Sequence, residues 1–200
     1  MKMNMNHFDP TFKDRPLSWS QISSFRYDPE QWARKYLDGI NDPPNPAMLF
    51  GKYVGEELAR NPKFLPSVPR YGIFEHKMEE SIGNIPLIGY ADTYEPNKAF
   101  REWKTHGKNG WTQARVDAHK QIDMYCLLLY LTEKIKPSDI TIHLDAIPVR
   151  TKNDFSMEIN QDLQIQTFET KRNMKDLLKF GDYILSTVKE MEAFAKNRGK

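Results

Sequence analysis

A single change of period constrains this chain more than any other feature. Ile22, Phe25, Trp32, Ala33, Tyr36 and Leu37 recur at helical spacing, and Met48 to Arg60 continues in helical style after a proline-rich loop at Asn41 to Pro46. From Tyr71 the pattern alternates instead. Tyr71 to Lys77, Leu87 to Tyr94 and Lys98 to Lys104 read as three strands, with turn chemistry at Gly83-Asn84 and Pro96-Asn97, so an antiparallel meander is the simplest connection. Helical spacing returns from Thr112 to Glu133, two strands follow at Ile140 to Val149 and Phe155 to Ile159, and a basic helix from about Thr170 to Lys196 closes the chain. Asp28-Pro29 breaks the first helical series in two, because a residue before proline avoids the helical region. Helices, meander, helix, hairpin, helix in that order predict an α/β fold, a mixed β-sheet core flanked by helices.

Two hundred residues, 39% apolar and 12% aromatic, suffice for one good core. We expect a flexible leader over 1–16 and a single domain over 17–200. The longest apolar run, Met124 to Leu131, is far short of the ~20 residues of a membrane span. The polar N-terminus has no secretory signal, which points to the cytoplasm of a bacterial or phage-infected cell. One cysteine, Cys126, excludes an internal disulfide, a four-thiolate zinc site and an iron–sulfur cluster, so any metal must be held by oxygen or histidine. His76, His119 and His143 show no metal-ligand spacing and read as structural.

The formal charge of +2 hides an uneven distribution. Residues 170–200 carry eight Lys or Arg against four acids, which reads as a solvated helix face. From Lys98 to Lys120 the basic residues Lys98, Arg101, Lys104, Lys108, Arg115 and Lys120 face only Glu102 and Asp117, with Trp103 and Trp111 interleaved. That mixture suits a phosphate-bearing partner, with Trp111 a stacking surface.

On a regular strand Phe100, Glu102 and Lys104 share one face and Ala99, Arg101 and Trp103 the other. A tight turn at Pro96-Asn97 folds Asp92 back beside Glu102, so two carboxylates and a lysine converge. Such a hard, oxygen-rich set suits Mg²⁺ or Mn²⁺ completed by waters and a substrate phosphate. Taken singly, each of these residues reads equally well as a turn aspartate or an exposed ion pair.

The whole pattern is more specific. Gly89-Tyr90-Ala91-Asp92, Glu102-Trp103-Lys104, and then Gln121 and Tyr125 on the next helix resemble the PD-(D/E)XK nuclease superfamily, with its restriction-endonuclease-like fold, and particularly its RecB-like and phage-exonuclease branch. Leu17 to Ile22, Tyr27 to Trp32 and Phe50 to Glu56 resemble further motifs of that branch. The resemblance implies a metal-dependent deoxyribonuclease, an exonuclease of DNA repair, recombination or phage DNA processing. By it, Asp92 and Glu102 ligate the metal, the Trp103 carbonyl adds an oxygen, Lys104 positions the attacking water, and Gln121 and Tyr125 orient the catalytic group or the DNA. Two departures stand out. Gly55 occupies the place where RecB-like relatives often carry a histidine, and Glu56 resembles the helix glutamate of phage-type relatives, which makes it the candidate third carboxylate in preference to Glu57. Asp28 stands where cluster-bearing relatives have cysteine. The competing readings are a nucleic-acid-binding or assembly protein that kept the fold without efficient catalysis, and a metal enzyme acting on RNA or small nucleotides. DNA is the expected partner of the nuclease, and nucleic acid of the binding module, with a second copy of the chain or a recombination or repair protein as further candidates.

Overall fold

The computed structural model describes residues 15–198; the expected leader lies outside them but for Arg15 and Pro16. A two-residue strand β1 (Leu17–Ser18) leads into α1 (Trp19–Tyr27) and α2 (Pro29–Tyr36). Asp28 makes the break anticipated from Asp28-Pro29: its backbone is extended, and its carboxylate accepts the Gln31 N–H at 3.0 Å to start α2. Asn45 does the same for α3 (Pro46–Arg60), accepting the Met48 N–H at 2.8 Å with Pro46 in the first turn.

The meander forms as read. Strands β2 (Ile73–Ile82) and β3 (Ile85–Glu95) pair along their length around Gly83-Asn84, and β3 turns through Asn97 at φ +60° into β4 (Ala99–His106). The single helix expected over 112–133 is two, α4 (Gln113–Asp117) and α5 (Lys120–Glu133), because His119 takes an extended backbone between them. A short 3₁₀ turn at Pro137–Asp139 precedes β5 (Thr141–Thr151), which pairs parallel with the whole of β4 through its residues 141–148. Strand β6 (Met157–Ile159) is shorter than expected, since Phe155 sits at φ +64° in the turn before it. The start of the last helix is also corrected: Gln166–Thr170 form a strand, β7, antiparallel to β5, and α6 runs from Met174 to Arg198.

The sheet runs β1-β3-β4-β5-β6, with β2 on the far side of β3 and β7 on β5, so it is mixed and flanked by helices. Its main core lies against α1, α2, α5 and α6, where Ile22, Trp32, Leu87, Phe100, Leu144, Phe180 and Ile184 pack. A smaller cluster under α3, on the other face, joins Val54, Leu58, Val68, Trp103 and Ile147. Helix α5 is buried on most of its circumference from Ile122 to Leu129, which accounts for the unbroken apolar run there. Among the described residues no helix is long and apolar enough to cross a membrane.

Candidate active site

The site lies where the sheet comes apart. Strands β3 and β4 pair only over Thr93–Glu95 with Ala99–Arg101, and the next rung would set Asp92 opposite Glu102. There the ladder stops, and the Asp92 carboxylate replaces the missing strand by accepting the Trp103 N–H at 2.5 Å. The N–H and C=O of one strand residue point to the same side, so the Trp103 carbonyl faces this gap as well. Strand alternation is as expected. Trp103 goes into the α3 cluster, and Glu102 lies on the α5 side within reach of Gln121.

Gln121 and Tyr125 stand one turn apart on α5. The Gln121 amide donates to Glu102 Oε1 at 2.8 Å and to the Tyr125 hydroxyl at 2.5 Å, and Lys104 Nζ lies 2.6 Å from the same Oε1. Two donors therefore converge on one oxygen. The other, Oε2, is buried with no hydrogen-bond partner, on a side chain only 3% exposed. A buried carboxyl oxygen without a hydrogen-bond partner is costly, and a cation is a partner that fits it. Helix α5 comes this close because β3 has a glycine beneath it: a Cβ on Gly89 would sit 2.9 Å from Leu128 Cδ1 and 3.0 Å from the Tyr125 ring.

Electrostatics follow from this crowding. Burial, and then the charge of Glu102, push the Asp92 carboxyl well above the ordinary aspartate range, outweighing the Trp103 N–H and Lys104. Burial works against the Lys104 ammonium, but Glu102 and then Asp92 more than offset it, so its pKa is raised and it stays charged. The Tyr125 hydroxyl, desolvated and facing Glu102, is held well above its usual value and stays protonated.

Beside Asp92 a cleft of 230 Å³ opens between α3 and the sheet, lined by Gly51, Lys52, Gly55, Glu56, Glu75, Asp92 and Trp103. Glu56 faces it, 3.8 Å from Lys52, whereas Glu57 turns to Asn61 at 3.1 Å. Glu75 is the residue that sequence reading missed. It sits opposite Asp92 in the β2–β3 hairpin, at φ +47°, where the ladder between Phe74–Thr93 and His76–Ala91 is interrupted. Counting back from the Gly83-Asn84 turn would have found it. Among the described residues no three His, Cys, Asp or Glu side chains gather closely enough to hold an ion by themselves. A metal here would rest on Asp92, Glu102 and the Trp103 carbonyl, with water and substrate completing its shell.

The expected nucleic-acid contacts divide. Lys108 lies exposed on the loop after β4, and Arg115 lies over the Trp111 ring at 4.9 Å; neither has a carboxylate partner among the described residues. Lys98 is paired with Glu95 at 2.6 Å and Lys120 with Asp123 at 2.9 Å, although both remain accessible. Arg101 requires a correction. Its guanidinium is 7% exposed and bonded at 2.8 Å to both oxygens of the buried Asp145, so it braces β4 against β5 and is not presented to a phosphate.

Neither a family model nor a curated protein sequence matches the chain. Solved structures do share its fold. A chain from Eubacterium rectale described as a candidate exonuclease superposes with a TM-score of 0.63 at 11% identity, covering 98% of this chain and 86% of that one. The alkaline exonuclease LHK-Exo from Laribacter hongkongensis superposes with a TM-score of 0.55 at 13% identity, covering 94% of this chain and 96% of that one. The same enzyme in complex with dAMP gives 0.54 at 12% identity, over 92% and 93% of the two chains. The fold is thus the restriction-endonuclease-like, PD-(D/E)XK arrangement expected from the sequence, a mixed sheet flanked by helices.

Proposed function

We propose that this protein is a metal-dependent deoxyribonuclease, an exonuclease that hydrolyses phosphodiester bonds at DNA ends. The observation that carries the reading is the placing of Asp92 and Glu102 at the point where the β3–β4 ladder stops, with Glu102 Oε2 buried and without a hydrogen-bond donor. Mg²⁺ or Mn²⁺ suits these oxygen donors, and when bound it neutralises charge on a phosphoryl oxygen and acidifies a water. Asp92, Glu102 and the Trp103 carbonyl would hold it, and Glu56 and Glu75 line the cleft beside Asp92. Gln121 pins Glu102 Oε1, which leaves Oε2 free to serve as a ligand. Lys104, kept as an ammonium by the two carboxylates, donates to the attacking water or to a non-bridging phosphate oxygen. Tyr125 holds Gln121 in place. Lys108, Trp111 and Arg115 meet the DNA, and Lys98 and Lys120 add long-range attraction. The likeness to LHK-Exo supports an end-directed activity, and a role in DNA repair, recombination or phage DNA processing in the cytoplasm follows from that activity.

The test is incubation with end-labelled single-stranded and double-stranded linear DNA and a closed circle, in Mg²⁺, in Mn²⁺ and in EDTA. Metal-dependent cleavage that spares the circle and is lost in Glu102→Gln and Lys104→Ala is the expected result. Binding without cleavage in either metal would instead make the protein a nucleic-acid-binding or assembly module of the same fold.

A further inference from the structure

Past Lys104, strand β4 runs into a loop that borders an open, shallow cavity of 530 Å³, lined by Thr105, His106, Lys108, Trp111 and Arg115 among others. It begins one residue beyond the catalytic lysine. Trp111 is half-buried, seated against the main core, with the His119 ring 5.1 Å away. Above Trp111 lies the Arg115 guanidinium, where Nη1 donates to the Gly110 carbonyl. The Arg115 backbone N–H donates to Thr112 Oγ1 at 3.3 Å and so fixes the start of α4 beneath the side chain. Arg115 is exposed, and neither it nor Lys108 has a carboxylate partner among the described residues.

A guanidinium centred 4.9 Å above an indole, without a carboxylate partner among the described residues, is a planar cation offered to the solvent. The ligand with matching chemistry has a flat π-face next to an anion, which is a nucleotide. Its base extends the Trp111–Arg115 stack and its phosphate meets Lys108. A base inside a duplex has both faces covered by its neighbours and cannot join that stack. We propose that this cavity is a subsite for an unpaired nucleotide next to the scissile phosphate, so that the protein prefers single-stranded or frayed DNA to blunt duplex. The proposal rests on the nuclease reading for its role, but binding can be measured without cleavage.

The experiment uses an oligothymidylate with 2-aminopurine near its end, alone or in a blunt duplex, titrated with the full chain in EDTA. Emission of 2-aminopurine falls when it stacks. We expect strong quenching and tighter binding for the single strand. Arg115→Lys, which keeps the charge and removes the plane, should abolish quenching and weaken single-strand binding by roughly ten-fold, the scale of one lost base stack, with a clearly smaller loss on the duplex. Trp111→Phe should retain part of the quenching. Equal losses on strand and duplex, or no loss in Arg115→Lys, would overturn the subsite. If the wild type cleaves nothing but shows Arg115-dependent quenching, the subsite stands and the nuclease reading falls. If DNA is cleaved and Arg115→Lys changes neither quenching nor the strand-to-duplex preference, the subsite falls alone.

Discussion

Replacing Asp145 by Leu should be among the most damaging single changes in this protein. The Asp145 carboxylate is fully buried and accepts two 2.8 Å bonds from Arg101 Nη1 and a 2.6 Å bond from the Thr167 hydroxyl. Among the described residues, Arg101's other hydrogen bond is to the Tyr71 hydroxyl, to which Nε donates at 2.9 Å. Removing the acid strands a dehydrated guanidinium between β4 and β5. Breaking a buried pair in this way costs about 3–5 kcal/mol. For a chain of this size each kcal/mol moves the melting temperature by roughly 2–4 °C, so a fall of roughly 6–20 °C is expected. Urea unfolding followed by circular dichroism gives the free energy directly. The double variant Arg101→Met with Asp145→Leu removes both charges and should recover at least half of the loss, since apolar replacement of a buried pair is often neutral or better. A single-variant cost under about 1 kcal/mol, far below the range for a broken buried pair, would refute the reasoning, as would a double variant no more stable than Asp145→Leu. DNA affinity of the double variant is a second check: an unchanged value is expected of a brace, and a marked loss would return Arg101 to the DNA-facing surface.

Three further outcomes follow from particular contacts. Gly89→Ala would drive a methyl into Leu128 and Tyr125 and should cost about 1–3 kcal/mol in urea unfolding, with reduced nuclease activity because Tyr125 carries Gln121. Gly55→Ala, within α3 and with nothing within 4 Å of the added methyl, should stabilise the protein by about 1 kcal/mol through helix propensity alone. His119 is held down to about 4, first by burial and then by Lys104, so between pH 6.5 and 4 the unfolded chain takes up a proton that the folded protein refuses, and stability falls as the pH falls. His119→Gln should remove that slope, narrowing the difference in unfolding free energy between pH 7 and pH 4 by about 2 kcal/mol after discounting for its partial exposure; an unchanged slope would show that His119 is not its source.

Much of the site was legible because it depends on short-range geometry. Alternation sends Glu102 and Trp103 to opposite faces, the Pro96-Asn97 turn returns Asp92 to Glu102, and four residues of helix align Gln121 with Tyr125. Arg101 was misread because its partner is Asp145, reached through a parallel pairing that no local spacing reveals. The break at His119 carries no glycine or proline. It is held by Arg172, which bonds Asp123 and donates to the Val116 carbonyl at 3.4 Å, and nothing in residues 112–133 announces that distant side chain. Strand β7 escaped notice for a similar reason: Gln166–Thr170 is largely polar and becomes a strand only by pairing with β5.

The parting of β3 from β4 sets a limit on how this protein can be improved. Sheets are ordinarily strengthened by extending their ladders, and here the next available rung is the one holding Asp92 and Glu102. Closing it would spend the Trp103 N–H and carbonyl on ladder bonds and take from the Asp92 carboxylate the donor that now holds it. On the proposed function a more perfect sheet would be a poorer nuclease, and a selection that rewarded folding alone would mend the sheet at the expense of the site.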